Sequence, residues 1–176
     1  IMNSPVTHLR SLAKNIPYVD LSLIEKNFEA IEQLEDRDEQ YQELAKLCSD
    51  KAIIGPEWLL MAGNIKIMSI KESAPETFSE SMVSMKGVLN HEYVRFVEEH
   101  ADELNGMIVE KNDFKFNIFA VETLVKSYLM QMKKLGKNVI VETPQYLYMR
   151  VATFLWFPTF QKDTSTSDTS DVDVSD

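Results

Sequence analysis

The sequence predicts a mainly α fold: a helical domain of about seven helices with one short two-stranded β-hairpin. Apolar residues recur at three- and four-residue steps over most of the chain, which is the pattern of amphipathic helices. Five glycines and six prolines in 176 residues leave few places for the tight turns of an all-β fold. One β-branched run, Val139-Ile140-Val141, favours a strand.

Composition limits the class of protein. A hydrophobic content of 44% with 10% aromatic residues is typical of a globular domain, and the length suits one domain with a sizeable core. No apolar run approaches the ~20 residues that span a bilayer, and the N-terminal residues lack the features of a secretory signal. We therefore expect a soluble cytoplasmic protein without a membrane partner. The single Cys48 fits a reducing compartment.

The charge of the chain is strongly negative. The net charge is −10 at pH 7, and residues 163–176 hold five aspartates and no lysine or arginine. Because such a chain repels phosphate backbones, the charge predicts no nucleic-acid partner.

The first third of the chain predicts an arm and two helices. Residues 1–19 contain two prolines and little periodicity, so we expect a loosely ordered arm. Asp20 is placed to cap a helix over residues 21–34, and a second helix is expected over residues 39–51. On it, Cys48 is either a small buried hydrophobe, the favoured interpretation, or a reactive thiol.

Three further helices are expected in the middle of the chain. Gly55-Pro56 separates the second helix from a more apolar one over residues 57–73. Pro75-Glu76-Thr77 begins another, which ends near Gly87, and Asn90 caps a helix over residues 91–104. His91 and His100 would lie about 180° apart on it, so they cannot share a metal ion.

A polar connection over residues 107–117 leads to a short helix around residues 119–125. From Tyr128 two alternatives are open, because the helix could continue to Met132 or residues 128–132 could form a strand. An isolated strand leaves its backbone groups unpaired, so we expect a hairpin of 128–132 with 138–142 around Gly136.

Pro144 begins the last helix, which we expect Pro158 to end. Arg150 lies among apolar residues and needs a carboxylate, for which Glu142 is the candidate. We therefore predict a structural pair of Arg150 and Glu142. Residues 162–176 are rich in Asp, Ser and Thr and predict a disordered tail with phosphorylatable hydroxyls, so the helical domain is expected over residues 20–161.

Two runs of residues resemble one enzyme family. Glu142-Thr143-Pro144-Gln145 followed by Tyr148-Met149-Arg150-Val151-Ala152 is similar to the E-x-P-Q-x-x-x-M-R-V-A run of ribonucleotide reductase large subunits. Upstream, Asp113-Phe114-Lys115-Phe116-Asn117, Thr123-Leu124 and Ser127-Tyr128-Leu129 resemble that family's D-F-x-Y-N…T-L-x-x-S-Y-L segment. The resemblance implies the N-terminal helical domain of such a large subunit, including the hairpin, in a chain truncated before the catalytic barrel.

The resemblance also defines what this chain lacks. In that family, an α/β barrel holds a radical-forming cysteine and a redox cysteine pair, whereas Cys48 matches none of these positions. No catalytic, cofactor-binding or metal-binding residue can be carried over, so we expect the chain to be inactive alone. It is then either a piece of a reductase large subunit that assembles with a complementary fragment, or a degenerate relative used as a scaffold. The third alternative, an unrelated helical binding module, is weakened by the ordered motif matches.

Three large aromatic residues, Trp156, Phe157 and Phe160, lie at the end of the last helix. Exposed together, they would form an apolar patch that monomeric proteins seldom tolerate. We therefore predict that they form an interface with a protein partner or in a homo-oligomer. The alternative is that they pack onto the core of the chain itself.

Overall fold

The computed structural model describes the backbone of residues 3–134 and 136–165, with side chains described as far as residue 157. Within these ranges the fold is mainly α, with one two-stranded antiparallel hairpin, as the sequence predicts. The nine α-helices of the described residues are α1 Pro5–Ala13, α2 Phe28–Glu32, α3 Arg37–Ser49, α4 Glu57–Ser73, α5 Phe78–Ser84, α6 His91–Glu99, α7 Ala101–Gly106, α8 Ile118–Ser127 and α9 Pro144–Ser165. The strands are β1 Gln131–Lys134 and β2 Lys137–Ile140, and short 3-10 helices cover Leu21–Leu23, Glu25–Asn27 and Glu110–Lys115.

Helix α4 is the centre of the fold. It contacts α1, α3 and α8, and it is buried on several sides, as its largely apolar sequence predicts. One core cluster lies between α4 and the helices that precede it, and another lies between α4, α8 and the base of the hairpin. A third cluster joins α5 and α6 to the end of the hairpin and to α9. Among the described residues, no helix is both long and apolar enough to cross a membrane.

The loosely ordered arm predicted for residues 1–19 is wrong, because residues 5–13 form α1. Ser4 caps this helix by accepting a hydrogen bond from the backbone N–H of Thr7. Pro5 occupies the first turn, where its missing N–H costs nothing. Val6 and Leu9 are buried against the first core cluster, so the N-terminal segment is part of the domain.

Two predicted helices are interrupted. Residues 21–34 form two 3-10 turns and then α2, although Ile24, Phe28 and Ile31, which recur at helical spacing, are all buried. The helix expected over residues 91–104 breaks at His100, whose backbone (φ −112°, ψ 22°) separates α6 from α7. In both cases the apolar periodicity predicts helical structure but not the local backbone breaks.

The hairpin forms where it was expected, and its register pairs Gln131 with Ile140 and Lys134 with Lys137. Gly136 has a φ of 81°, which glycine adopts at little cost. The first strand begins three residues later than predicted. The backbone N–H groups of Tyr128 and Leu129 both donate to the carbonyl of Leu124, so this part of the chain still completes the end of α8.

Helix α9 continues through Pro158 to Ser165, so the prediction that Pro158 ends it is wrong. A proline removes one backbone donor and disfavours a helix interior, yet helical backbone is present on both sides of this position. The predicted disordered tail over residues 162–176 therefore overlaps the helix at its first four positions. Residues 166–176 lie outside the described part of the chain.

Candidate functional site

The predicted pair of Arg150 and Glu142 is present as a bidentate salt bridge. The Arg150 Nε donates to one oxygen of Glu142 at 2.9 Å and Nη2 donates to the other, also at 2.9 Å. The carboxylate of Glu142 is fully buried and also accepts from the backbone N–H of Met130 at 2.8 Å. The hydrogen bonds to Glu142 raise the pKa of Arg150 despite its burial. The pair therefore joins the base of the hairpin to α9, which is a structural role.

Asp113 links the two motif runs in space, which the sequence did not reveal. Its carboxylate is almost fully buried and accepts from the backbone N–H of Gln145, in the first turn of α9, at 2.9 Å. Burial raises the pKa of Asp113, against hydrogen bonds from Gln145 and Thr143. A carboxylate at this position satisfies a helix N–H that has no partner within the helix. The motif residues Asp113 and Gln145 thus fix the start of α9.

Other motif residues are also structural. The Asn117 side chain caps α8 by accepting from the backbone N–H of Ala120 at 3.1 Å. The side-chain oxygen of Gln145 accepts from the backbone N–H of Val109, and its amide donates to the carbonyl of the same residue. These contacts explain why such residue types occur at these positions without any reaction chemistry.

A second polar cluster, also not predicted, joins α1, α3 and α4. The hydroxyl of Tyr41 donates to Glu72 at 2.6 Å and lies 2.7 Å from Nδ1 of His8. Arg37 donates to both carboxylate oxygens of Glu72. Burial alone would raise the pKa of Glu72, but the hydrogen bonds from Arg37 and Tyr41 and the charge of Arg37 outweigh it, so the pKa is lowered. Arg37 and Tyr41 share a helix face, but their partner Glu72 could not be found from spacing alone.

Cys48 is a buried core residue, as the favoured interpretation predicts. It belongs to the first core cluster, and burial raises its pKa to about 12. A thiol must ionise to act as a nucleophile or a metal ligand, so this thiol is unreactive near neutral pH. Within the described residues, no three His, Cys, Asp or Glu side chains are arranged to hold a metal ion.

The three aromatic residues at the end of α9 have different positions. Trp156 is 72% exposed, whereas Phe157 is only 8% exposed and packs against Tyr93 with a ring-centroid distance of 5.9 Å. The interface predicted for Phe157 is therefore wrong in this structure, because the residue belongs to the third core cluster. The Phe160 side chain lies outside the described residues.

The fold and these contacts define a helical domain in which the recognisable motif residues cap helices and join them. The curated proteins to which the chain is similar are large subunits of ribonucleoside-diphosphate reductase. That of Monkeypox virus is 31% identical over 121 residues, which cover 62% of this chain and 15% of the relative. The large chain of Encephalitozoon cuniculi (strain GB-M1) is 34% identical over 110 residues, with coverages of 61% and 14%.

A third relative, the large subunit of Caenorhabditis elegans, is 31% identical over 108 residues, which cover 55% of this chain and 13% of the relative. No family model matches the chain. The resemblance to ribonucleotide reductase large subunits is thus confirmed, and the chain spans about 15% of the length of the first of these relatives.

Proposed function

We propose that this chain is a non-catalytic helical part of a ribonucleotide reductase large subunit and acts by assembly with the polypeptide that holds the reactive cysteines. The similarity to reductase large subunits supports the family. The non-catalytic role is supported by the burial of Cys48, the one cysteine in the sequence. The proposal depends on this observation.

Nucleotide reduction, as the resemblance implies it, needs one cysteine to take a hydrogen atom and two more to supply electrons. The sequence holds Cys48 alone. Its side chain is fully buried, and its raised pKa of about 12 keeps it protonated near neutral pH. A buried thiol can neither reach a nucleotide nor exchange with a second thiol. The reacting groups must therefore come from another polypeptide segment.

The polar contacts of the motif residues support a positioning role. Asp113 and Glu142 are buried, and each accepts from a backbone N–H as well as from its side-chain partners. Because a hydrogen-bonded buried carboxylate is held in one geometry, Glu142 fixes the base of the hairpin against α9, and Asp113 fixes residues 110–115 against the start of α9. The chain would then present a rigid surface to the rest of the enzyme.

Complex formation tests this proposal. The large subunit of Monkeypox virus is prepared without the segment that matches this chain, and the full chain is added to it. Size-exclusion chromatography with light scattering is expected to detect a one-to-one complex. The intact viral subunit is the matched control. Its own segment already occupies the binding position, so it is expected not to bind this chain.

The viral segment itself, added as a separate chain, shows whether the deletion variant is competent to bind. If that segment binds and this chain does not, assembly with a reductase polypeptide is contradicted. The alternative, a degenerate relative used as a scaffold for other proteins, would then be the better proposal.

A further inference from the structure

One face of helix α9 is covered by the rest of the chain, and the opposite face, which is apolar, is not. The covered face packs on the third core cluster and on the hairpin. Its residues are Tyr146, Arg150, Thr153 and Phe157. The opposite face is exposed and consists of Tyr148, Val151, Ala152 and Leu155, with Trp156 at its edge. A contiguous exposed apolar patch on a helix face usually marks an interaction site.

The exposed face of α9 has no charge. Between Pro144 and Gln161 the only charged residue is Arg150, and its guanidinium is directed inward to the buried Glu142. A helix that lies on a membrane surface normally has lysine or arginine on its polar face. This helix has none there, and the whole chain is acidic, so an anionic lipid surface is a poor match.

A shallow hollow lies beside this face. It has a volume of about 370 Å³, and its wall is formed mainly by apolar side chains. The lining includes Met107, Ile108, Phe116, Tyr148, Met149 and Ala152. Trp156 lies one helical turn beyond Ala152 on the same side of α9 and is 72% exposed. The same surface thus presents a projecting ring and a hollow about one turn away from it.

We propose that α9 packs antiparallel on α9 of a second copy of this chain, with the two-fold axis at Ala152. Tyr148 and Trp156 are each four residues from Ala152, so an antiparallel crossing at this residue places Tyr148 opposite the partner's Trp156. The partner's Trp156 then enters the hollow beside Tyr148 and Met149, and the reverse contact forms by symmetry. Ala152 is small enough to let the two helices approach closely at the crossing.

The second copy is favoured because the surface is self-complementary. A two-fold interface uses one patch on both subunits, and it must supply both the projection and the hollow. This dimer does not depend on the assembly with a reductase polypeptide proposed above, and the two are tested by different experiments.

The exposed area sets the expected strength. Leu155 and Trp156 are each 72% exposed and Tyr148 is 52% exposed. Since a large aromatic side chain buries about 150–250 Å², the face offers on the order of 500 Å² per copy. A total of about 1,000 Å² is close to the lower limit of specific interfaces. We therefore expect a weak dimer with a dissociation constant in the micromolar range.

Sedimentation velocity of the full chain from about 1 to 100 µM tests the dimer. The native chain is expected to change from monomer to dimer across this range. Ala152→Glu and Ala152→Lys each place two like charges at the axis and are expected to raise the dissociation constant at least about tenfold. An equimolar mixture of the two variants brings opposite charges together and is expected to restore the dimer.

Ile53→Glu is the matched control, because Ile53 is 94% exposed and lies between α3 and α4, away from the proposed interface. It is expected to dimerise like the native chain. Ala152 is itself exposed, so circular dichroism is expected to show both charge variants folded. A native chain that remains monomeric at the highest concentration overturns the proposal, as does a mixture that fails to dimerise or a dimer that survives both single variants. A monomer that binds the viral deletion variant would overturn the dimer and leave the proposed function standing.

Discussion

Gly63 is the position where a single added carbon should disturb the fold most clearly. It lies in the buried part of α4, where this helix meets the segment that leads into α8. A Cβ atom on Gly63 would lie 2.6 Å from the carbonyl carbon of Asn117 and 2.9 Å from its Cα, and it would also overlap the carbonyl oxygen of Phe116. All three neighbours are backbone atoms, so no side-chain rotation relieves the overlap.

Opposing effects determine the magnitude of Gly63→Ala. Alanine favours a helix over glycine by about 1 kcal/mol. Overpacking that moves backbone costs about 1–3 kcal/mol, and displacing Asn117 weakens the cap of α8, which is worth about 1 kcal/mol. Because the overlap is severe, we expect a net loss of about 2 kcal/mol in the free energy of unfolding.

Urea unfolding followed by circular dichroism measures this change. For a slope of about 2 kcal/mol per molar, the midpoint is expected to fall by about 1 M. Gly106→Ala is the matched control, since an added Cβ there meets nothing within 4 Å, and its stability should be unchanged or higher by up to about 1 kcal/mol. A Gly63→Ala chain as stable as the native protein would refute the close approach of α4 to residues 116–117.

Three further predictions concern the buried polar groups. Arg150→Leu leaves Glu142 buried without its cation and is expected to cost about 3–5 kcal/mol in urea unfolding. Tyr41→Phe removes the hydroxyl donor to Glu72 and is expected to cost about 1–3 kcal/mol in the same measurement. Burial raises the pKa of Asp113 in the folded state. Its contribution to stability is therefore fully present below the unfolded-state pKa and is lost as the pH rises through the folded-state pKa. The stability of Asp113→Asn relative to the native chain should therefore increase as the pH rises above about 4.

Controls make these results specific. Arg95→Leu removes an exposed salt bridge with Glu99 and should change the free energy of unfolding by less than about 1 kcal/mol. If Arg150→Leu costs no more than this, burial of Glu142 does not increase the cost of losing its partner. For Tyr41→Phe, a change in the free energy of unfolding within experimental error would mean that the hydrogen bond from Tyr41 to Glu72 does not contribute to stability. A pH-independent difference between Asp113→Asn and the native chain would contradict the raised pKa.

The parts of the fold with strong local signals were predictable from the sequence. Helix α4 begins and ends at the predicted residues, because Gly55-Pro56 and Pro75 limit a largely apolar run. The hairpin was predictable because β-branched residues follow a glycine that can adopt a positive φ. Arg150 and Glu142 could be paired because few carboxylates lie close to this arginine in sequence.

The errors have physical causes that local sequence does not contain. A proline in a segment of little periodicity suggests disorder, yet Pro5 lies in the first turn of a helix whose Val6 and Leu9 are buried by tertiary packing. The contact of Asp113 with Gln145 joins residues 32 positions apart, so no periodicity predicts it. The exposure of Trp156 and the burial of Phe157 depend on where α6 packs against α9, which spacing alone does not determine.

Formation of a deoxyribonucleotide from a ribonucleoside diphosphate directly tests whether this chain is inactive alone and works by assembly. The full chain is assayed with a dithiol reductant and the other reductase components, first alone and then with the Monkeypox virus large subunit that lacks the matching segment. We expect no product above background from this chain alone and product when the two polypeptides are combined. Turnover by this chain without the second polypeptide would contradict it.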